Sequence, residues 1–72
     1  MKMIEARKGL RVIYVPNHAN GDIKHPDCEV GCISSMNGAH AFVKYDNKEC
    51  KMITGDEPYT AKATNWENLI KL

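Results

Sequence analysis

The chain has 72 residues, enough for one small domain over residues 1–72, and a domain of this size buries only about 60% of the surface that its unfolded chain exposes. Ten basic against nine acidic residues leave a formal net charge of +1, which gives no broad attraction for nucleic acid or anionic lipid. In so small a core, an enclosed active site would use side chains that are needed for stability. No nucleophile–base or carboxylate pair can be placed from the sequence either, so the composition favours a non-enzymatic binding surface over an enzyme.

The N-terminal segment and the cysteines predict the location of the protein. Residues 1–8 carry charges with no apolar run after them, so we expect no secretory signal and a flexible or loosely packed segment. No stretch approaches membrane-spanning length. Three cysteines, an odd number, fit reduced thiols better than a disulfide framework. These features predict a cytoplasmic protein that does not enter a membrane.

The first strand signal is a run of β-branched and aromatic residues at 10–15, which Pro16 ends because proline cannot donate to a β ladder. A long connection follows over residues 17–28. It contains Asn-Gly-Asp at 20–22 and His-Pro-Asp at 25–27, both of which favour turns. Connections of this length in compact domains are often functional. The loop is therefore a candidate binding segment. The alternative is that its polar residues only stabilise turns.

The strongest local signal is Asn37-Gly38, which joins two apolar-rich runs at 30–36 and 39–45. Asn-Gly favours a two-residue type I′ turn, because both central residues of that turn need positive φ. The register set by such a turn pairs Met36 with Ala39, Ser34 with Ala41, Cys32 with Val43 and Val30 with Tyr45. It also puts Ile33 opposite Phe42 on the other face, which is predicted either to cover a second core layer of a strongly curved barrel or to be an apolar contact surface for a partner.

The C-terminal third predicts two more strands and a helical turn. Residues 50–54 alternate apolar and polar side chains and are predicted to be a short strand, and residues 59–63 a short edge strand. Thr64 and Glu67 form a capping-box pattern, with Trp66, Leu69 and Ile70 at helical spacing behind it. The whole pattern predicts a mainly β domain with a short C-terminal helical turn.

This order of elements resembles the small Src-homology-3-like antiparallel barrels of the Tudor and KOW type. The resemblance is carried by residues 12–14 (Val-Ile-Tyr), 29–33 (Glu-Val-Gly-Cys-Ile), 41–45 (Ala-Phe-Val-Lys-Tyr) and 68–70 (Asn-Leu-Ile). Within that group the chain is similar to small proteins of bacteriophages and prophages with a His-Ala-Asn-Gly-Asp and His-Pro-Asp-Cys-Glu loop. The resemblance implies a single barrel in a bacterial or phage-infected cytoplasm that binds protein, RNA or DNA through its loops and one strand face.

Four residues in and after the long loop carry groups that bind metals: His18, His25, Cys28 and Cys32. Imidazole and thiolate are zinc ligands, and a bound zinc ion would stabilise a thin core. The spacing contains no Cys-x-x-Cys pair, however, and the predicted register places Cys32 inside the sheet, where a free cysteine packs as a small apolar residue. We therefore expect core packing for Cys32 and Cys50 and no cofactor, with a zinc-stabilised loop as the alternative.

The predicted partner-binding residues lie on the long loop, on one strand face and in the break after residue 55. They are His18, Asp22, His25 and Asp27 on the loop, Ile33, His40, Phe42 and Lys44 on the strands, and Tyr59 in the break. Tyr59 would join Asp56 and Glu57 in an acidic rim that suits a basic protein. The alternative is a nucleic-acid-binding barrel whose cations are Arg11, Lys44, Lys48 and Lys51. The near-neutral charge favours a protein partner.

Overall fold

The structure, a computed structural model, describes residues 1–51 and 61–72. Within these two ranges, five strands form one antiparallel sheet: β1 Arg11–Tyr14, β2 Glu29–Met36, β3 His40–Lys44, β4 Lys62–Asn65 and β5 Leu69–Lys71. The same ranges contain three short 3-10 turns, at Met3–Glu5, Asn17–Ala19 and Trp66–Asn68. The mainly β prediction is confirmed. Within the described ranges, no helix has the length and apolar character needed to cross a membrane.

The sheet is strongly curved. Its strand order is β4-β3-β2-β1-β5, so β4 and β5 are the two edges, yet only the three-residue turn Trp66–Asn68 joins them. Strands lie about 4.8 Å apart, so the edges of a flat five-stranded sheet would be roughly 19 Å apart. A 3-10 turn rises only about 2 Å per residue. The connection is too short for a flat sheet. The Trp66 indole also donates to the carbonyl of Asn37 at 3.0 Å, which ties the turn to the loop between β2 and β3.

The loop between β2 and β3 differs from the predicted type I′ turn. It has three residues, because β2 ends at Met36 and β3 begins at His40, and Met36 pairs with Ala41. The Asn37 side-chain oxygen accepts the N–H groups of Ala39 and His40 at 2.9 and 2.8 Å. Gly38 is not among the residues with positive φ. The predicted register is wrong because the asparagine side chain closes the turn without a left-handed backbone.

A β-bulge then changes which residues of β2 face the core. The register shifts between Ile33 and Ser35, so that Ile33 pairs with Val43 and Cys32 with Lys44. A single extra residue turns the following side chains to the other face. Ile33 is consequently fully buried, and its prediction as an exposed contact residue is wrong.

The core has two parts, one on each face of the curved sheet. On the inner face the largest fully buried side chains are Val12, Ile33, Val43 and Leu69. On the outer face Ile13, Val15 and Ala19 form a smaller cluster under the long loop. The long loop therefore covers hydrophobic surface in addition to connecting two strands.

The segment around Lys48 and Cys50 covers another part of the outer face. Arg11, Cys32 and Lys44 form one row across β1, β2 and β3. Cys50 is joined to Cys32 by a disulfide, and the Arg11 guanidinium donates through Nε to the carbonyl of Lys48 at 2.9 Å. Lys44 is buried in this row, so its predicted place on an exposed binding face is wrong.

The C-terminal prediction is correct only for its helical turn. Trp66–Asn68 forms one 3-10 turn, but Leu69 and Ile70 belong to β5, which pairs with β1. The predicted capping box is absent, since Thr64 belongs to β4 and Asn65, which precedes the turn, makes no side-chain cap hydrogen bond. Cys50 and Lys51 are outside any strand, and the rest of the predicted strand at 50–54 lies outside the described residues. Residues 59 and 60 of the predicted edge strand also lie outside them, and the observed strand covers Lys62–Asn65.

Candidate functional site

The long loop, residues 15–28 between β1 and β2, is a succession of tight turns. Its backbone N–H groups donate to the carbonyl three residues earlier at Ala19, Asp22, His25 and Cys28, at 2.9 to 3.1 Å. Asn20 adopts a left-handed conformation with φ of 51°, and Gly21 follows with φ of 81°. Asparagine and glycine tolerate this region best, which explains why the chain reverses there. The loop has a defined conformation because its own hydrogen bonds close each turn.

The base of the long loop is fixed to the C-terminal 3-10 turn. The amide of Asn68, a buried residue, donates to the Val15 carbonyl at 3.0 Å and to the Asn17 side-chain oxygen at 2.8 Å. The Ala19 side chain packs beneath the loop with Ile13. Because a buried amide left without partners would cost about 1–3 kcal/mol, these contacts hold the loop in place.

Three predicted loop residues converge at the surface: His18, His25 and Asp27. One ligand atom from each lies within 4.8 Å of the others. His18 Nε2 is 2.6 Å from Asp27 Oδ2, and His25 Nδ1 is 4.0 Å from the same oxygen. The two imidazole rings meet edge to face, with centroids 5.2 Å apart. We call this group the loop triad.

Charge and hydrogen bonding within the loop triad favour an ionised Asp27. The hydrogen bond with His18 lowers the pKa of the Asp27 carboxyl below its usual value, and the charges of both histidines act in the same direction. The Asp27 N–H donates to His25 Nδ1 at 3.0 Å, which holds the His25 ring against the turn. The side chains of His18 and Asp27 are 63% and 59% exposed, so the triad is open to solvent and to ligands.

The two other loop residues with predicted binding roles make local contacts. Asp22 accepts the N–H of Lys24 at 2.9 Å through its carboxylate, which is turn chemistry. The Cys28 thiol donates to the carbonyl of Asp22 at 3.3 Å, and Cys28 is not a member of the loop triad. The alternative interpretation of turn-forming residues therefore describes Asp22 correctly.

Cys32 and Cys50 form a disulfide, with their Cα atoms 5.2 Å apart, and Cys28 is the free cysteine. The prediction of reduced thiols is wrong for this pair. Cys32 has no thiolate to offer, so the predicted zinc set of His18, His25, Cys28 and Cys32 is not assembled. The reason is the bulge in β2, since it turns Cys32 to the outer face where Cys50 reaches it. Reduced cysteines were one reason for predicting a cytoplasmic location, and the disulfide removes that reason.

A groove of about 370 Å³ lies between β4 and the base of the long loop. Asp27 and Glu29 line it on the loop side, and Tyr14 and Tyr45 line its wall with ring centroids 6.2 Å apart, edge to face. The Tyr45 hydroxyl shares a 2.8 Å hydrogen bond with the Thr64 hydroxyl. Burial raises the pKa of the Tyr45 phenol above its usual value, so this group stays protonated at neutral pH. Asp27 belongs to both the groove and the loop triad.

The sequence prediction included Asp27 but missed the other groove residues. Tyr14 is the last residue of β1, Glu29 is the first residue of β2, and Tyr45 directly follows β3. None of the three belongs to a distinctive local motif. Their common position at a strand boundary is the available signal, because strand ends that meet in an antiparallel sheet place their side chains together.

The predicted strand-face residues are only partly accessible. Phe42 and His40 are half-buried, and Phe42 pairs with Ser35 on one side and Ala63 on the other. Tyr59, Asp56 and Glu57 lie outside the described residues. The Lys51 ammonium is 2.9 Å from the Glu49 carboxylate, so its charge is paired.

Comparison with known proteins found no matching family model, no matching curated protein and no matching solved structure.

Proposed function

We propose that this protein is a non-enzymatic docking module with a Src-homology-3-like barrel, and that it binds an extended, basic segment of a protein partner in the groove beside β4. The observation that supports this most directly is the lining of the groove, which combines two carboxylates, two tyrosines and the full length of an edge strand. The Src-homology-3-like fold is favoured by the order β4-β3-β2-β1-β5 and by the short turn between the two edge strands.

The extended shape of the ligand follows from β4. All four residues of this strand, Lys62–Asn65, line the groove. Successive side chains of a strand point to opposite faces, so a groove that touches all four runs along the strand's edge. In the described residues β4 pairs with β3 alone. A free strand edge offers backbone donors and acceptors to an added strand, which is a common mode of peptide recognition.

The basic character of the ligand follows from charge. Among the described residues that line the groove, Asp27 and Glu29 are carboxylates and Lys62 is the one cation. Tyrosine rings give contact area and a polar group at low entropic cost, which suits a peptide interface. Neither hydroxyl group among the described groove residues is prepared as a nucleophile, because the Thr64 hydroxyl donates to the Lys62 carbonyl at 3.2 Å and the Tyr45 phenol stays protonated. These contacts support binding over catalysis.

The nucleic-acid alternative has less support. Of its four predicted cations, Lys44 is buried and Lys51 is paired with Glu49. Arg11 donates to the backbone carbonyl of Lys48. Phosphate contacts supply most of the affinity for nucleic acid without sequence preference. We therefore expect weak binding to random oligonucleotides at physiological salt.

Selection from a random peptide library tests the proposal, followed by titration of the selected peptides into ¹⁵N-labelled protein. We expect lysine- or arginine-rich peptides, with shifts concentrated at Tyr14, Glu29 and Thr64. Glu29→Gln should weaken binding by about 0.5–1 kcal/mol, which is about two- to fivefold in Kd. Glu49→Gln removes an exposed carboxylate outside the groove and should leave Kd unchanged.

Three results would overturn the proposal: selection of acidic peptides, failure to select any peptide, or an equal loss of affinity in the two glutamine variants. Tight and salt-sensitive binding to an oligonucleotide would make the nucleic-acid alternative correct instead.

A further inference from the structure

The loop triad has the donor atoms and the spacing of a transition-metal site. Zinc–nitrogen and zinc–oxygen bonds are about 2.0–2.2 Å long, so two donors on a tetrahedral ion are roughly 3.3–3.4 Å apart. The 2.6 Å contact between His18 and Asp27 is shorter than this separation, and the 4.0 Å distance between His25 and Asp27 is longer by a similar amount. Side-chain movements of less than about 1 Å would place all three donors at bonding distance.

An ion at the triad would replace two hydrogen bonds that its ligand atoms make with one another and with the backbone. Ligands must be unprotonated to bind a metal ion. His18 Nε2 lies 2.6 Å from Asp27 Oδ2 and donates to that carboxylate, so it has to release its proton when an ion binds. His25 Nδ1 accepts the Asp27 N–H at 3.0 Å, so its lone pair reaches an ion once that hydrogen bond opens. An ion would replace the hydrogen bond between His18 and Asp27 with two bonds to itself.

The scaffold that carries the ligands is ordered by contacts independent of them. Successive backbone hydrogen bonds close the turns around residues 18, 25 and 27. The buried amide of Asn68 holds the base of the loop, and the buried Ala19 packs directly after His18. An incoming ion therefore does not have to order the loop, so less of its binding energy is lost.

We propose that His18, His25 and Asp27 bind one divalent cation of the zinc type through three protein ligands. Two imidazoles and one carboxylate suit zinc, cobalt or nickel, whereas calcium and magnesium prefer all-oxygen sites. Cys28 is not a ligand, because its thiol is directed to the Asp22 carbonyl. Three protein ligands leave a position for water or for a donor from a partner. Since Asp27 also lines the groove, the bound ion would lie beside the groove.

Titration of metal-free, tag-free protein with Zn²⁺ and Co²⁺ in a non-coordinating buffer at pH 7.5 tests the site. Calorimetry gives the stoichiometry and Kd for Zn²⁺, and the visible absorption of Co²⁺ reports its ligand geometry. We expect one ion per chain and backbone shifts centred on residues 18, 25 and 27. His18→Gln and Asp27→Asn should each weaken binding at least about tenfold.

His40→Gln is the matched control, since His40 lies on β3 and is not a member of the triad. Its Kd should stay within about twofold of the wild-type value, and Cys28→Ser should behave the same way. A circular dichroism spectrum of each variant shows whether the fold survives. Absence of saturable binding in the wild-type protein would overturn the proposal. Equal weakening by His40→Gln, or loss of binding in Cys28→Ser, would overturn it as well.

Discussion

Replacement of Gly31 by alanine should destabilise the protein, because the sheet has no room for a methyl group at this position. A Cβ built on Gly31 lies 2.7 Å from Cγ1 of Val43, 2.9 Å from the carbonyl oxygen of Lys44 and 2.9 Å from Cδ1 of Tyr45. The carbonyl belongs to the backbone of β3 and cannot rotate away. Val43 is fully buried, so its side chain has no open space to enter.

The magnitude follows from two opposing effects. Forcing a methyl group into a well-packed core costs about 1–3 kcal/mol. Alanine also restricts the unfolded chain relative to glycine, which returns about 0.4–1 kcal/mol. We expect a net loss of about 1–2 kcal/mol in the free energy of unfolding. For a domain of this size, the loss corresponds to a Tm lower by about 5–15 °C.

Urea unfolding followed by the fluorescence of Trp66, the one tryptophan, measures this loss. Gly38→Ala is the matched control, since nothing lies within 4 Å of its added Cβ and its φ is not in the left-handed region. Its stability should remain within about 0.5 kcal/mol of the wild-type value. The packing argument is refuted if Gly31→Ala is as stable as the wild type, or if Gly38→Ala loses more stability than Gly31→Ala.

Two further predictions concern the disulfide and the loop triad. The sequence separation of Cys32 and Cys50 is 18, so reduction of their disulfide should lower the free energy of unfolding by about 3 kcal/mol and give a lower Tm in the presence of reductant. Cys28→Ser should show the same decrease. An unchanged Tm of the wild-type protein in reductant would contradict the prediction. The lowered pKa of Asp27 means that its charge contributes stability above the unfolded-state pKa of about 3.9, and that this contribution is lost as pH falls through the lower folded-state pKa. In metal-free buffer, the Tm of Asp27→Asn should therefore decrease less than that of the wild-type protein as the pH falls below about 4. An equal decrease in the two proteins would show that the Asp27 charge does not contribute to stability.

Local sequence signals were sufficient for the first three strands and the long loop. Residues 10–15, 30–36 and 39–45 were predicted as strands, and β1, β2 and β3 occupy Arg11–Tyr14, Glu29–Met36 and His40–Lys44. β-branched runs bounded by proline, glycine and asparagine determine such strands through short-range sterics. Part of the site was found in the same way, because histidine and aspartate in a long loop marked three residues that converge in the loop triad.

Tertiary structure alone decided which side chains face the core and which residues meet. The bulge in β2 moved Ile33 inward and Cys32 outward, and β5 took Leu69 and Ile70 from a predicted helix into the sheet. Neither outcome is visible locally, because a side-chain period of two makes every face assignment depend on one residue of register. Register is settled by hydrogen bonds and packing between segments far apart in the chain. The groove and the disulfide follow from the same long-range pairing, so no local pattern determines which residues come together there.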